Sequence, residues 1–336
     1  MARIAVLGAG NWGTALSIHM CRRGHQTTMW TRTPAHGEAM ARERVNRRYL
    51  PEVDLPDDLE ITSDLGLAAS GADLIVCAIP SHAMGEALSL LSTNLSARER
   101  PQFLIASKGV EVDSLETMAD VARRCLGSEH HDRVVVLGGP SFAVEVAEAK
   151  PCAVVVAASD LAVAKSVQRQ LSGHGLRAYA SDDVVGVELG GAFKNVIALA
   201  TGINDGAGLG LNSRAALITR GLAEISRLAI AMGARRSTLS GLAGLGDLVL
   251  TCTGSLSRNR SVGIALGQGR SIAEILGSMN MVAEGVKNTL SAQRMAKREG
   301  IEMPIVDTMH EILYRGRSIA WAVESLMQRS LRAEVD

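Results

Sequence analysis

The sequence predicts an α/β protein: a doubly wound parallel sheet over residues 1–185, then an all-α domain over 186–336. Three observations predict it. Short, wholly apolar β-branched runs alternate with amphipathic stretches in the first half. A glycine loop follows the first of these runs at once. Beyond about residue 183, β runs become scarce and Ala, Leu, Met and Glu at helical spacing take over. At roughly 150 residues per domain, a chain of 336 residues makes two.

The strand candidates are 4–7, 26–31, 74–79, 103–107, 134–137, 153–157 and 176–179. Helical patterns fill 14–23, 83–91, 115–126 and 161–171 between them. Apolar residues on both faces of a strand belong to a parallel sheet covered on both sides. The polar, Arg-rich segment 34–56 reads as loop and short helix. A long helix around 190–200 leads into the second domain.

The 35 Lys and Arg balance the 35 Asp and Glu, which argues against a general basic field for nucleic acid but leaves room for a local anion pocket. Aromatics are 3% of the chain, too few for base-stacking platforms. Cys21, Cys77, Cys125, Cys152 and Cys252 are odd in number and widely spaced, as reduced thiols of a cytoplasmic protein are. With eight His they form no metal-ligand spacing, so no metal is expected. The apolar start is too short for a secretion signal, and no run reaches the ~18 apolar residues of a membrane span. An apolar helical domain would suit a homodimer.

Gly8, Gly10 and Gly13 form a GxGxxG between a strand and a helix candidate, the setting that makes it a dinucleotide-binding, Rossmann-type loop. Gly8 permits the turn, Gly10 lets the backbone approach a pyrophosphate, and Gly13 lets helix pack on strand. The second strand ends Met29-Trp30-Thr31-Arg32 without the acid that binds a ribose 2′-hydroxyl. Arg32 is either a solvated arginine or a partner for a 2′-phosphate; the second reading favours NADPH over NADH.

Further candidates carry charge. Lys108 follows a strand end, where ligands of open α/β sheets sit. The loop of Gly138, Gly139, Pro140 and Ser141 is either a plain strand–helix turn or a second source of N–H and hydroxyl groups for a ligand. Lys194 lies among Phe193, Val196, Ile197 and Leu199, where an ammonium is costly unless it has a task. The preceding Gly190 and Gly191 suggest that another backbone comes close. Asp247, in a glycine-rich apolar run, could pair with a lysine or accept a substrate hydroxyl. Ser257, Arg258, Asn259 and Arg260 open a helix candidate, either as a phosphate site or as an N-capping loop with surface arginines. Glu284 by itself reads as a solvated acid.

Taken in order, GAGNWGTAL, SKG, GGPSFA, GGAFKNVIALATG, ALITRGLAE, GLAGLGDLVLTCT, SRNR and VAEG resemble the bacterial, cytosolic, biosynthetic NAD(P)-dependent glycerol-3-phosphate dehydrogenases, from Ile4 to about Tyr314. 6-Phosphogluconate dehydrogenases are similar in fold. The resemblance implies reduction of dihydroxyacetone phosphate to sn-glycerol 3-phosphate for phospholipid synthesis, an NAD(P)-binding first domain and a substrate-binding second one. It implies that Lys194 is the general acid and that Lys108 orients substrate beside the nicotinamide. By it Gly139, Ser141, Asp247, Ser257, Arg258 and Asn259 contact substrate. Asn11, Trp12, Arg32, Ala143, Arg258, Val282 and Glu284 contact cofactor. Position 11 is often Ser in that family and is Asn here, which keeps a hydrogen-bonding side chain. Residues 36–50 match less well. Two rivals are a related dehydrogenase of a non-phosphorylated 3-hydroxy acid, against which the 257–260 cluster argues, and a silent NADPH sensor, which would not need Lys194, Lys108 or Asp247.

Overall fold

The computed structural model describes all residues except 96–99, 278–283, 332 and 335–336. The chain divides into two compact units: Met1–Gly191 with Gly233–Asp247, and Ala192–Met232 with Leu248–Asp336. The first unit therefore reaches six residues past 185 and takes in a later excursion of the chain.

In the first unit the strands are β1 (Arg3–Leu7), β2 (Gln26–Trp30), β3 (Val45–Asn46), β4 (Leu50–Asp54), β5 (Glu60–Thr62), β6 (Leu74–Cys77), β7 (Gln102–Ile105), β8 (Val134–Gly138), β9 (Cys152–Ala157) and β10 (Leu176–Ser181). Eight make one sheet in the order β10-β9-β8-β7-β6-β1-β2-β5, and β3 pairs with β4. The chain winds from β1 towards β2 on one side and β6 on the other, so the topological switch lies at β1. Alternate residues go to opposite faces. Ile4, Val6, Leu74, Val76, Leu104 and Val135 enter one buried cluster, and Ala5, Leu7, Ile75, Cys77, Ile105 and Val136 the other. Two buried faces leave the central strands no polar side, which is why they read as continuous apolar runs.

Two details differ from the sequence reading. β9 runs antiparallel to β8, with Val136 opposite Ala157, so the sheet is mostly rather than wholly parallel. The β8–β9 connection holds only a five-residue helix, Ala143–Ala147, about 7.5 Å long, too short to carry the chain back across the sheet for a parallel return. Segment 34–56 is also more ordered than loop and short helix. It is a ten-residue helix, Pro34–Glu43, with proline in its first turn, then the β3–β4 pair.

The second unit is helical: among its described residues there is no strand. Helix Val184–Gly206, 23 residues, is long and apolar enough to span a bilayer by length and composition, which the sequence reading did not expect of any segment. Of its most apolar stretch, 89% is buried inside the protein, the setting of a core helix.

Helix Pro304–Arg315 begins at Met303 without a side-chain cap. Its orphan N–H groups are met by Glu224, which accepts from Ile305 N at 2.9 Å and from Val306 N at 3.4 Å. Burial pushes the Glu224 carboxyl up from 4.5 to about 7, although both N–H groups favour the anion. The folded state thus holds a proton that the unfolded chain has already released. The stabilisation is complete below pH 4.5 and is lost as pH rises to about 7. Burial raises Glu188 to about 7 as well, so we expect Glu224→Gln, which keeps an acceptor oxygen, to reduce the dependence of Tm on pH across that window without abolishing it; a slope equal to wild type would remove Glu224 as one of its sources.

Candidate active site

The glycine loop at the end of β1 is built as a ligand cradle. Gly8 has φ +113°, and a Cβ there would stand 2.5 Å from the Ala78 carbonyl oxygen. A Cβ on Gly13 would stand 1.8 Å from the Gly8 oxygen, so helix Asn11–Arg22 seats only on glycine. Gly10, by contrast, faces open space, with no protein atom within 4 Å of where its Cβ would be. It is the N-cap and supplies no side-chain acceptor, so the first-turn N–H groups face outward to an anion. The Asn11 side chain accepts from Trp12 N at 2.9 Å. This donor set and this open approach fit a dinucleotide pyrophosphate.

Asn46, wholly buried in β3, pins the loop from below. Its amide donates to the Ala9 carbonyl at 2.9 Å and to the Thr14 hydroxyl at 2.8 Å, and His36 meets its oxygen at 3.1 Å. Sequence reasoning missed Asn46, which lies 37 and 32 residues from the two glycine-loop groups it holds, with no local motif to announce it. Arg32 lies exposed two residues past β2, with no ion pair among the described residues.

A buried ion pair lies at the ends of β7 and β8. Lys108 Nζ is 2.7 Å from Asp247 Oδ2 and 3.1 Å from the Gly139 carbonyl. Asp247 is 1% exposed and the Lys108 side chain 17%. Ser141 also donates to the Gly139 carbonyl, at 3.0 Å. Ala143 opens the helix that follows. Residues 242–246 form one π-helical turn that delivers Asp247 to the start of helix Asp247–Thr253. The paired glycines have their close neighbours: a Cβ on Gly190 would stand 2.6 Å from the Ala243 oxygen, and the Lys108 stem packs 3.5 Å from that of Gly191.

The second unit holds a separate cluster. Lys194 is 7% exposed and donates to Thr251 Oγ1 at 2.9 Å. Ser257 caps helix Arg258–Gly267, its hydroxyl accepting from Arg260 N at 3.3 Å. Of the two guanidiniums assigned to this loop, Arg260 is taken by Asp205, at 3.0 and 2.6 Å. Arg258 lies exposed at the first turn. Asn259 braces the loop from both sides: its amide donates to Asn195 Oδ1 at 2.9 Å, and its oxygen accepts from Gly285 N at 3.0 Å. Glu284 is the first residue of helix Glu284–Glu299 and is partly buried; Val282 lies outside the described residues. Thr251 and Asn195 also escaped the sequence reading. Thr251 carries a signal in hindsight, because it follows Asp247 by four residues on one helix.

Two family models, described as the N-terminus and the C-terminus of NAD-dependent glycerol-3-phosphate dehydrogenase, match residues 3–164 and 183–324. The chain belongs to the NAD-dependent glycerol-3-phosphate dehydrogenase family. A relative from Geobacter sp. (strain M21), named glycerol-3-phosphate dehydrogenase (NAD(P)+), is 50% identical over 333 residues, 99% of this chain and 98% of its own. One of the same name from Lysinibacillus sphaericus is 44% identical over 336 residues, 100% of this chain and 99% of its own. The crystal structure of glycerol-3-phosphate dehydrogenase from Coxiella burnetii matches with a TM-score of 0.91 at 39% identity, over 98% of this chain and 99% of that one.

Proposed function

We propose that this member of the glycerol-3-phosphate dehydrogenase family reduces dihydroxyacetone phosphate to sn-glycerol 3-phosphate with NADH or NADPH, and so supplies glycerophospholipid synthesis. The observation that carries the reading is Lys194, an ammonium buried in an apolar helix with a hydroxyl as hydrogen-bond partner. Such a group has a proton to give and a strong field to offer a developing oxyanion.

Gly8, Gly10, Asn11, Trp12 and Gly13 would hold the dinucleotide, with Ala143, Val282 and Glu284 as further contacts. The nicotinamide supplies a hydride when bound. Lys194 protonates the C2 carbonyl oxygen of the substrate, and takes that proton back in the reverse direction. Lys108, held by Asp247 and the Gly139 carbonyl, orients the substrate beside the nicotinamide. Gly139, Ser141 and Asp247 contact the hydroxyl end of the substrate. Arg258 and the first-turn N–H groups of its helix hold the phosphate, with Ser257 shaping the turn and Asn259 bracing it. Phosphate binding remote from the reacting carbon then aligns that carbon. The setting we propose is the cytoplasm, which suits five free thiols, and the functional form a homodimer formed through the helical unit, read by sedimentation.

Turnover of dihydroxyacetone phosphate but not of unphosphorylated dihydroxyacetone or 3-hydroxy acids tests the reading. Equal rates on the unphosphorylated compounds would overturn it. We expect Arg258→Ala to raise KM for the phosphorylated substrate about tenfold or more, the worth of one charged hydrogen bond. An unchanged KM would take Arg258 out of the phosphate site.

Arg32 favours NADPH in this reading, because it is an exposed guanidinium just past β2 where an NAD site carries an acid. Loss of one charge-assisted contact predicts a fall in the NADPH-to-NADH ratio of kcat/KM of roughly ten- to a hundredfold in Arg32→Ala. An unchanged ratio would sink that assignment.

A further inference from the structure

We infer a second anion site in the first unit, at the opposite end of the strands from the glycine loop, which takes a ligand with two or more phosphates. A depression of about 900 Å³ opens there. Its wall residues stand just before strands: His25 precedes β2, Asp73 precedes β6, and Arg133 precedes β8. Gly8 leaves β1 at the other end, five residues and about 17 Å away. One small molecule cannot occupy both places.

The charge of the depression is one-sided in a chain whose total is zero. Among the described residues four guanidiniums line it, those of Arg23, Arg100, Arg133 and Arg169, against the one carboxylate of Asp73. That carboxylate already accepts from Arg3 N at 2.9 Å. Arg100 has a distant partner in Asp132, at 3.7 Å.

The unmatched hydrogen-bonding groups point the same way. Arg23 Nε and Arg133 Nε are buried and meet no acceptor among the described residues, and Gln170 Oε1 is buried and meets no donor among them. The Gln170 amide nitrogen donates to Gln102 Oε1 at 3.0 Å, which fixes its oxygen as the free end. Ser166 donates to the same Gln102 oxygen at 3.2 Å, so the floor is a tied polar network. Buried donors and acceptors in proteins are mostly satisfied, and of the eight unmatched ones among the described residues three belong to residues of this depression. The guanidiniums that line the depression would take the phosphate oxygens.

The probe is inorganic pyrophosphate, titrated calorimetrically into the full chain with the dinucleotide loop saturated by NADPH. We expect one pyrophosphate per chain, bound more weakly as salt rises. Arg133→Gln should weaken it about tenfold, the loss of one charge-assisted hydrogen bond, and Arg169→Gln should weaken it too. Both variants should keep the basal rate of NADPH oxidation by substrate. Arg169 is exposed, so its variant reads the site even if Arg133→Gln folds poorly. No binding by the wild type, equal binding by both variants, or binding lost only in Arg258→Ala would each overturn the site.

Discussion

Lys194→Met should lower kcat by about 10²–10⁴, the usual worth of a positioned general acid, while NADPH binds as before. Methionine keeps the apolar length of the side chain among Phe193, Val196 and Ile197 and removes only the ammonium. Stability then separates two roles. A lysine kept for structure would cost Tm when replaced, because its hydrogen bond to Thr251 Oγ1 goes with it. A lysine kept for chemistry is a buried charge the fold tolerates, so its removal should leave Tm unchanged or raise it. We expect a stable and nearly inactive protein. Near-normal turnover would refute the assigned role.

Asp247→Asn is the second large effect. Asparagine keeps the shape but leaves the Lys108 ammonium without its counter-ion, where Asp247 is 1% exposed. Breaking one side of a buried pair costs about 3–5 kcal/mol. The same change removes the carboxylate that, with the Gly139 carbonyl, fixes Lys108, so kcat/KM should fall by about 10²–10³, as when a fixed hydrogen-bond donor is lost. The double variant Lys108→Met with Asp247→Leu replaces the pair by apolar volume and should recover most of the Tm but none of the turnover. Unchanged melting and unchanged kinetics in Asp247→Asn would show that the pair does neither job. Thermal scans beside steady-state kinetics read both.

The first unit was legible because its signals are local. A strand with both faces buried must be apolar throughout, and 4–7, 74–77 and 103–105 are. Gly8 and Gly13 announce their loop because no other residue fits between Ala78 and the start of the helix, and Gly10 between them leaves its approach open. Lys194 stood out as the one charge in an apolar stretch. What escaped depends on chain-distant partners. The reversal of β9 turns on the length of a connection, which a list of strand candidates does not contain. Arg260 and Arg258 look alike in sequence, and only the fold brings Asp205, 55 residues away, to Arg260. Asn46, Asn195 and Glu224 act on groups that fold to them from elsewhere, so no spacing rule exposes them.

The most direct test of the dehydrogenase reading is the absorbance of the reduced nicotinamide when dihydroxyacetone phosphate is added to the purified full chain with NADPH or NADH. The account predicts rapid, substrate-dependent loss of absorbance with sn-glycerol 3-phosphate as the product, faster with NADPH. A chain that binds the cofactor yet oxidises neither form with this substrate would contradict it.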